Sequence, residues 1–247
     1  MKEFPRHQEQ TQAKTSLESD LRLYAAAGVK TPIQVIKQQF EQSCGLTLPC
    51  DFDTAGAAQA KFLQDSGARF LITTQERIAE SQAAGLLVPG RSIALADTVA
   101  AIACSQHDKP RIASSEDLRR ALLEAASIAF SDPARGATVG KHFLAVIAKL
   151  GIEREVMAKA RLAHDGVETM RLVQQGLVAL GITQMSEVVQ SAPSTLVGPF
   201  PPEFDLFTRY VLWVKGPETQ PVGQFVQWLT SNQGRNIFIN QGLRPVF

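Results

Sequence analysis

Hydrophobic and polar positions alternate in short blocks along the chain, and these blocks predict strands and helices in turn. Extended apolar runs at residues 21–26, 46–52 and 68–73 each precede a segment with helical spacing of its apolar residues. Thr31, followed by a proline, is a candidate N-cap for the first of these helices. Strands and helices that alternate with short connections are typical of an α/β protein with a mainly parallel sheet.

The second half of the chain repeats this alternation after an apolar, extended stretch at residues 92–105, which suits antiparallel or crossover strands. A proline-rich stretch at residues 199–202 marks a second crossing. Two crossings imply that both ends of the chain build one lobe and that the other lobe is inserted between them. The helices and strands predicted after the first crossing are helix 116–126, strand 127–130, a helix ending at residue 150, helix 167–175, strand 177–182, the extended segment 205–214 and helices 222–230 and 233–240.

The crossings also define the predicted domain organisation. Residues 20–98 and 202–247 form lobe 1, residues 99–201 form lobe 2, and a two-strand hinge joins them. Residues 1–19 precede the first strand and are predicted to be a disordered tail because they are polar throughout. A cleft between two hinged lobes can close over a small ligand.

The composition and charge of the chain limit the classes of function that we expect. The 247 residues are 45% hydrophobic and 20% charged, and their net charge of +1 gives no reason to expect a nucleic-acid partner. No apolar run reaches the roughly 18–20 residues that a membrane span requires. The first twenty residues contain no apolar core of a secretory signal, which leaves a cytoplasmic protein or a mature exported protein without its signal peptide.

The chain has three cysteines, and two of them, Cys44 and Cys50, flank a short helix-to-strand connection. A disulfide between them is sterically plausible and would indicate an oxidising compartment, whereas two half-buried thiols explain the pattern equally well. No Cys-x-x-Cys or Cys/His cluster indicates a metal site, so we expect no metal.

The segment 131–140, Ser-Asp-Pro-Ala-Arg-Gly-Ala-Thr-Val-Gly, predicts a strand-to-helix turn that can bind an anion. Small residues let a ligand approach the backbone, and the first N–H groups of the helix would face that ligand. Arg135 adds a guanidinium suited to a carboxylate or another oxyanion, unless it is an exposed arginine paired with Asp132. Asp132 and Asp165 both precede helix starts, where capping explains them without further chemistry.

Several segments together resemble the type II periplasmic binding proteins, in particular the molybdate-binding branch. The similarity extends over residues 20–247 and depends on the order and spacing of motifs that are individually weak. The matching segments are Leu-Tyr-Ala-Ala-Ala at 23–27, Phe-Asp-Thr-Ala-Gly at 52–56, Ser-Asp-Pro-Ala at 131–134, the strand 176–182, and the closing helix and turn at 225–245.

The resemblance also implies where a ligand would lie. The positions expected to hold it are Gly28, Thr54, Ala55, Thr74, Arg135, Val139, Val167 and Gln184.

The site departs from the molybdate pattern at four of the matching places, one of which is a serine-rich turn that here keeps a single hydroxyl, Thr54. Gly28 replaces a serine, Gln184 replaces the tyrosine that closes the site, and Arg69 replaces an acidic residue of the third strand. With fewer hydroxyls and added arginines, the site is expected to suit a larger anion, such as a di- or tricarboxylic acid, better than molybdate. Gln184 could equally pack at the hinge, and Arg69 is expected to bridge to Glu76 or Glu80 rather than to touch ligand.

The resemblance implies a monomeric, periplasmic solute-binding protein that serves an ABC-type membrane permease and needs no cofactor. The alternative is a cofactor-independent isomerase, because this branch is similar to an aconitate isomerase. Such an enzyme needs a base beside the bound carboxylates, and His142, His164 and Glu168 are the candidates. A cytoplasmic ligand sensor is a third possibility, and His7 and His107 are interpreted as incidental.

Overall fold

The computed structural model describes residues 21–247. The predicted tail at residues 1–19, which includes His7, lies outside the described residues. None of the described helices is long and apolar enough to cross a membrane.

Within residues 21–247 the strands form one continuous sheet in the order β2-β1-β3-β9-β4-β7-β5-β6, with β8 and β10 also paired to β4. Strands pair in parallel on both outer sides of the sheet, within β2-β1-β3 on one side and within β7-β5-β6 on the other. In the middle, β9 and β4 are antiparallel to each other, β9 is antiparallel to β3, and β4 is antiparallel to β7. The strands are β1 (Arg22–Ala26), β2 (Cys50–Asp53), β3 (Ala68–Thr74), β4 (Gly90–Cys104), β5 (Ile128–Ser131), β6 (Ala160–Ala163), β7 (Leu180–Gln184), β8 (Leu196–Pro199), β9 (Phe207–Lys215) and β10 (Arg244–Pro245).

Helices cover both faces of the sheet, as the alternating pattern predicts, and short 3-10 turns connect some of them to strands. The helices are α1 (Lys30–Cys44), α2 (Ala55–Gln64), α3 (Gln75–Ala83), α4 (Ser115–Glu124), α5 (Thr138–Lys149), α6 (Glu153–Met157), α7 (Gly166–Gln174), α8 (Met185–Ser191), α9 (Gln220–Leu229) and α10 (Asn232–Asn240). The 3-10 turns are Ala27–Val29, Pro133–Arg135, Pro193–Thr195 and Pro202–Phe204.

The long strand β4 connects the two halves of the molecule. Its residues 90–99 pair with β9, whereas residues 100–104 pair with β7. The returning chain runs beside it, and the Ala100 N–H donates to the Leu206 carbonyl at 3.0 Å. The architecture is therefore the predicted two-lobed α/β fold, in which both crossings run through the centre of one sheet.

Each lobe has apolar cores on the two faces of its part of the sheet. In the half built on β1, β3 and β9, the Phe225 ring lies 4.8 Å from that of Phe70 and 5.5 Å from that of Phe40. In the other half, Phe130 and Phe143 pack edge to face with their ring centroids 5.0 Å apart. These cores fix the positions of the strand ends, from which the turns at the cleft begin.

The structure corrects several local predictions. Helix α1 begins at Lys30 after a 3-10 turn, so Thr31 is not its N-cap, and the Thr31 N–H instead donates to Gln190 Oε1 at 3.2 Å. The predictions omitted α6, β6 and α8, all short elements. Cys44 and Cys50 are free thiols that donate to the carbonyls of Phe40 and Leu48.

Candidate functional site

A small cavity of about 40 Å³ lies where the carboxyl ends of strands from both lobes meet. Ligands of open α/β sheets bind at this edge, because the strand-to-helix turns gather there. Five of the predicted ligand positions line the cavity. They are Gly28, Thr54, Ala55, Val139 and Gln184.

Several helices begin at the cavity wall. Ala55 is the first residue of α2, Val139 lies in the first turn of α5, and Gly166 is the first residue of α7. The first N–H groups of a helix have no partner within it and lie at the positive end of its dipole. The cavity therefore offers converging backbone donors of the kind that bind anions.

Gly28 lines the same cavity opposite the buried Tyr210. A Cβ atom at position 28 would overlap the Tyr210 hydroxyl. The serine found at this position in the molybdate pattern would therefore not fit this wall unless Tyr210 moved. The Gly28 carbonyl accepts hydrogen bonds from Ser186 Oγ at 3.0 Å and from Gln190 Nε2 at 2.9 Å. These bonds join the end of β1 to helix α8 in the other lobe.

Arg135 does not line the cavity; its side chain is bound to Asp53, the residue before the cavity residue Thr54. Its Nη2 donates to Asp53 Oδ1 at 2.8 Å and to Oδ2 at 3.0 Å, and its Nε donates to the His164 carbonyl at 3.2 Å. The Asp53 side chain is 3% exposed and also pairs with Lys61 at 3.1 Å. The expected alternative partner, Asp132, instead accepts from the Ala134 N–H.

Thr54 both caps a helix and connects the lobes. Its Oγ1 accepts from the Ala57 N–H at 3.2 Å, which caps α2, and its hydroxyl donates to the Arg135 carbonyl. Beside it, the Gly56 N–H donates to the Gly136 carbonyl at 3.2 Å. Asp53, Thr54 and Gly56 therefore hold the turn that contains Arg135 and Gly136, and the cleft is closed in this structure.

Arg77 adds a further bond across the cleft that the sequence analysis missed. Its Nη2 donates to the Gly136 carbonyl at 3.0 Å, and its Nη1 donates to Gln59 Oε1 at 2.9 Å. Burial lowers the pKa of its guanidinium, which stays charged because arginine titrates far above neutral pH. Nothing in the local pattern around Arg77 indicates this contact, because Gly136 is distant in sequence.

The two remaining predicted ligand positions, Thr74 and Val167, do not line the cavity. Thr74 is buried and caps α3, accepting from the Arg77 N–H at 3.4 Å. Val167 follows Gly166, and it is Gly166 that faces the cavity. Arg69 donates to the Pro217 carbonyl and makes neither of the predicted bridges to Glu76 and Glu80.

The three candidate bases are placed outside the cavity lining. His142 Nε2 lies 2.8 Å from the Phe204 carbonyl, and the imidazole ring lies 5.8 Å from the Phe200 ring. His164 is 52% exposed, with its Nδ1 3.8 Å from Asp53 Oδ1. Glu168 accepts from the His164 N–H at 2.7 Å.

Glu187 is an acidic side chain of the cavity wall that the sequence analysis missed. It lies in the first turn of α8, lines the cavity and is only 6% exposed. Burial raises the pKa of its carboxyl to about 7, against hydrogen bonds from Thr183 and Gln184 that lower it. Its position three residues after Gln184, at the end of a buried strand, is the available signal, but it resembles an ordinary capping glutamate.

Comparison with known proteins identifies relatives over nearly the whole chain. The family described as bacterial extracellular solute-binding protein matches residues 21–244. An aconitate isomerase from Pseudomonas sp is 23% identical over 234 residues, which cover 92% of this chain and 88% of that protein.

Solved structures show the same fold. The periplasmic molybdate-binding protein of Azotobacter vinelandii superimposes with a TM-score of 0.71 at 17% identity, covering 92% of this chain and 99% of that one. The periplasmic binding protein AfuA of Actinobacillus pleuropneumoniae, solved with fructose-6-phosphate, gives a TM-score of 0.70 at 15% identity, covering 92% and 84%.

Proposed function

Because this chain belongs to the bacterial extracellular solute-binding protein family, we propose that it binds a small organic anion between its lobes for an ABC-type permease. The observation that carries the proposal is the set of helix starts around one interlobe cavity, at Ala55, Val139 and Gly166. We infer a periplasmic location from the family and from the periplasmic neighbours. Closure of the lobes over the ligand would give the permease a form to recognise.

A carboxylic acid is the ligand class that we propose. The lobes are already in contact, and the cavity of about 40 Å³ has room for about three water molecules, which matches one carboxylate group. A di- or tricarboxylic acid would extend beyond the cavity towards Arg135, which could exchange Asp53 for a ligand carboxylate. The relative named as an aconitate isomerase and the neighbour solved with fructose-6-phosphate support an organic anion.

A thermal-shift series tests the ligand class, since a ligand that binds only the folded state raises the midpoint of unfolding. We expect malonate, citrate or trans-aconitate to stabilise the protein by about 2–4 kcal/mol when present at 100 to 1,000 times its dissociation constant. Sodium chloride at matched ionic strength is the control. Stabilisation by sulfate and molybdate alone would contradict the carboxylic-acid proposal while retaining an anion site.

The second candidate is a cofactor-independent isomerase of a carboxylic acid. Two observations favour it: the relative named as an aconitate isomerase and the buried carboxyl of Glu187 in the cavity wall. Such a reaction needs a group that takes up and returns a proton next to the bound acid. Incubation of the protein with cis- and trans-aconitate, followed by proton NMR, distinguishes the candidates, because an unchanged spectrum eliminates this isomerase.

A further inference from the structure

Glu187 is an acidic side chain in a cavity where three helices begin, and helix starts favour an anion. Its carboxyl group lies against Gly166, and a Cβ atom at that position would overlap it. Within residues 21–247, no Lys, Arg or His side chain forms a salt bridge with Glu187. A buried carboxylate without a cation is costly, so the neutral acid is favoured unless the pH is high.

The hydrogen bonds of Glu187 distinguish its two oxygens. Oε2 accepts from the Thr183 hydroxyl and from the Gln184 N–H at 3.1 Å. Since both donors contact Oε2, Oε1 is the oxygen that remains to carry a proton. A protonated Oε1 would be a hydrogen-bond donor in the cavity wall.

The neighbouring ionisable groups also favour the protonated form. Asp165, at the N-cap of α7, is the charged neighbour, and its carboxylate raises the pKa of Glu187 further, beyond the effect of burial. Tyr210 packs on the same cavity from β9, and burial raises the pKa of its hydroxyl well above 10, so it stays neutral. The turn at Ala26–Gly28 contributes no ionisable side chain to the cavity.

We propose that Glu187 is the proton-carrying donor of the anion site, neutral when an anion is bound and donating its O–H to that anion. The inference rests on the proposed function, since it needs an anion in the cavity. The proton comes from solvent, so above the pKa of Glu187 in the free protein, binding of a dianion also takes up one proton. Ionised Glu187 would repel the ligand, whereas the neutral acid adds one hydrogen-bond donor to the wall.

The pH dependence follows from linkage. Anion affinity is full below about pH 7, where Glu187 is already protonated in the free protein. Above that pH the affinity falls by about tenfold per unit, because each binding event must first protonate the carboxylate. A ligand of constant charge is needed to see this effect alone, and sulfate and oxalate both remain dianions between pH 6 and 9.

The test is isothermal titration calorimetry of wild type and Glu187→Gln with sulfate and oxalate between pH 6 and 9. Wild type should lose affinity above pH 7, and buffers of different ionisation enthalpy should report uptake of about one proton at pH 8. Glu187→Gln is permanently neutral, so its affinity should be independent of pH and should exceed that of wild type about tenfold or more at pH 8.5.

Glu76→Gln is the matched control, because Glu76 also lies in the first turn of a helix but is exposed and outside the cavity. Glu76→Gln should show the same pH dependence of anion affinity as wild type. Affinity of wild type that does not change with pH overturns the role of Glu187 and leaves the proposed function standing. If sulfate, oxalate and the carboxylic acids of the thermal-shift series all fail to bind wild type and both variants, the proposed function and this inference are overturned together.

A second measurement, without ligand, guards against a variant that misfolds. Carbon-13 NMR of the glutamate carboxyls, assigned by loss of one signal in Glu187→Gln, follows the titration of Glu187 directly. A midpoint near pH 7 supports the proposal. A midpoint near 4.3, the ordinary value for glutamate, overturns it.

Discussion

Asp53 shows how one carboxylate holds two lobes together. It is buried at the end of β2 and accepts from Arg135 of the other lobe, from the Thr54 N–H at 2.8 Å and from Lys61. Burial alone would raise the pKa of its carboxyl, but the hydrogen bonds from Arg135, Thr54 and Lys61 outweigh burial and hold it below the usual value. The folded state therefore favours the ionised form.

Because folding lowers the pKa of Asp53, the stability that this carboxylate contributes decreases as the pH falls. A carboxyl whose pKa is lowered on folding contributes stability above its unfolded pKa of about 3.9, and that contribution is lost as the pH falls through the folded value. We expect Asp53→Asn to cost about 1–3 kcal/mol at pH 7, and the difference from wild type to shrink below about pH 4.

Urea denaturation of both proteins from pH 7 to pH 3 measures the effect of Asp53→Asn. Asp51→Asn, on the same strand, is the control, because Asp51 is 47% exposed and pairs, among residues 21–247, with Lys61 alone. We expect it to cost less than about 1 kcal/mol. A difference between wild type and Asp53→Asn that stays constant over this pH range would contradict the role given to the Asp53 charge.

Residue-level predictions succeeded where the relevant contact is local. Asp132 accepts from the Ala134 N–H and Asp165 accepts from the Glu168 N–H, two and three residues ahead, as predicted for caps of helix starts. Thr31 failed in this role because a 3-10 turn before it lets the helix begin earlier. Arg69 failed because its partner, the Pro217 carbonyl, is 148 residues away.

At the scale of elements, the apolar periodicity located the long helices and the central strands, which bury whole faces. Helix α9 is an example: Phe225 and Leu229 are fully buried, whereas Gln227 on the same helix is exposed. The short β6 has only one buried residue, Ala163, so its pattern resembles that of a loop. Helix α8 spans Met185–Ser191, and seven residues give too few turns for a clear helical period.

A substitution of Phe225 tests how helix α9 packs against the rest of its lobe. Phe225 joins α9 to Phe40 of α1 and Phe70 of β3, and its ring is fully buried. Phe225→Ala should lower the free energy of unfolding by about 3–5 kcal/mol, measured by urea denaturation, because it removes apolar contacts and leaves a cavity. Gln227→Ala should stay within about 0.5 kcal/mol of wild type. Equal effects of the two substitutions would show that α9 does not pack as described.

At the scale of the whole molecule, two sets of hydrogen bonds hold the lobes closed. One set joins the Gly28 carbonyl to Ser186 and Gln190, and the other joins Arg77 and Asp53 to the turn at Arg135–Gly136. Because both sets lie beside the cavity, we propose that closure and ligand binding are coupled. If only the closed form binds ligand, the apparent affinity is the affinity of the closed form multiplied by the fraction of molecules that are closed.

The combined variant Arg77→Ala/Arg135→Ala tests this coupling. Each lost charged hydrogen bond costs about 1.5–3 kcal/mol, so the closed form should lose at least about tenfold in population. We expect a larger radius of gyration by small-angle X-ray scattering and weaker binding of the carboxylic acid that stabilises wild type. Arg91→Ala is the control, because its partner Glu218 lies on the same lobe, away from the cleft. An unchanged radius and affinity would show that these arginines do not maintain closure.

The sequence by itself determined the α/β class, the two crossings and the caps at Asp132 and Asp165, and it predicted an anion site at the helix starts. Periodicity, capping and turn chemistry depend on neighbours within a few residues, and the family pattern adds their order. The tertiary structure decided that Arg135 binds Asp53, 82 residues away, and that Glu187 faces the cavity. These contacts join elements distant in the chain, which come together only when the strands assemble and the lobes close.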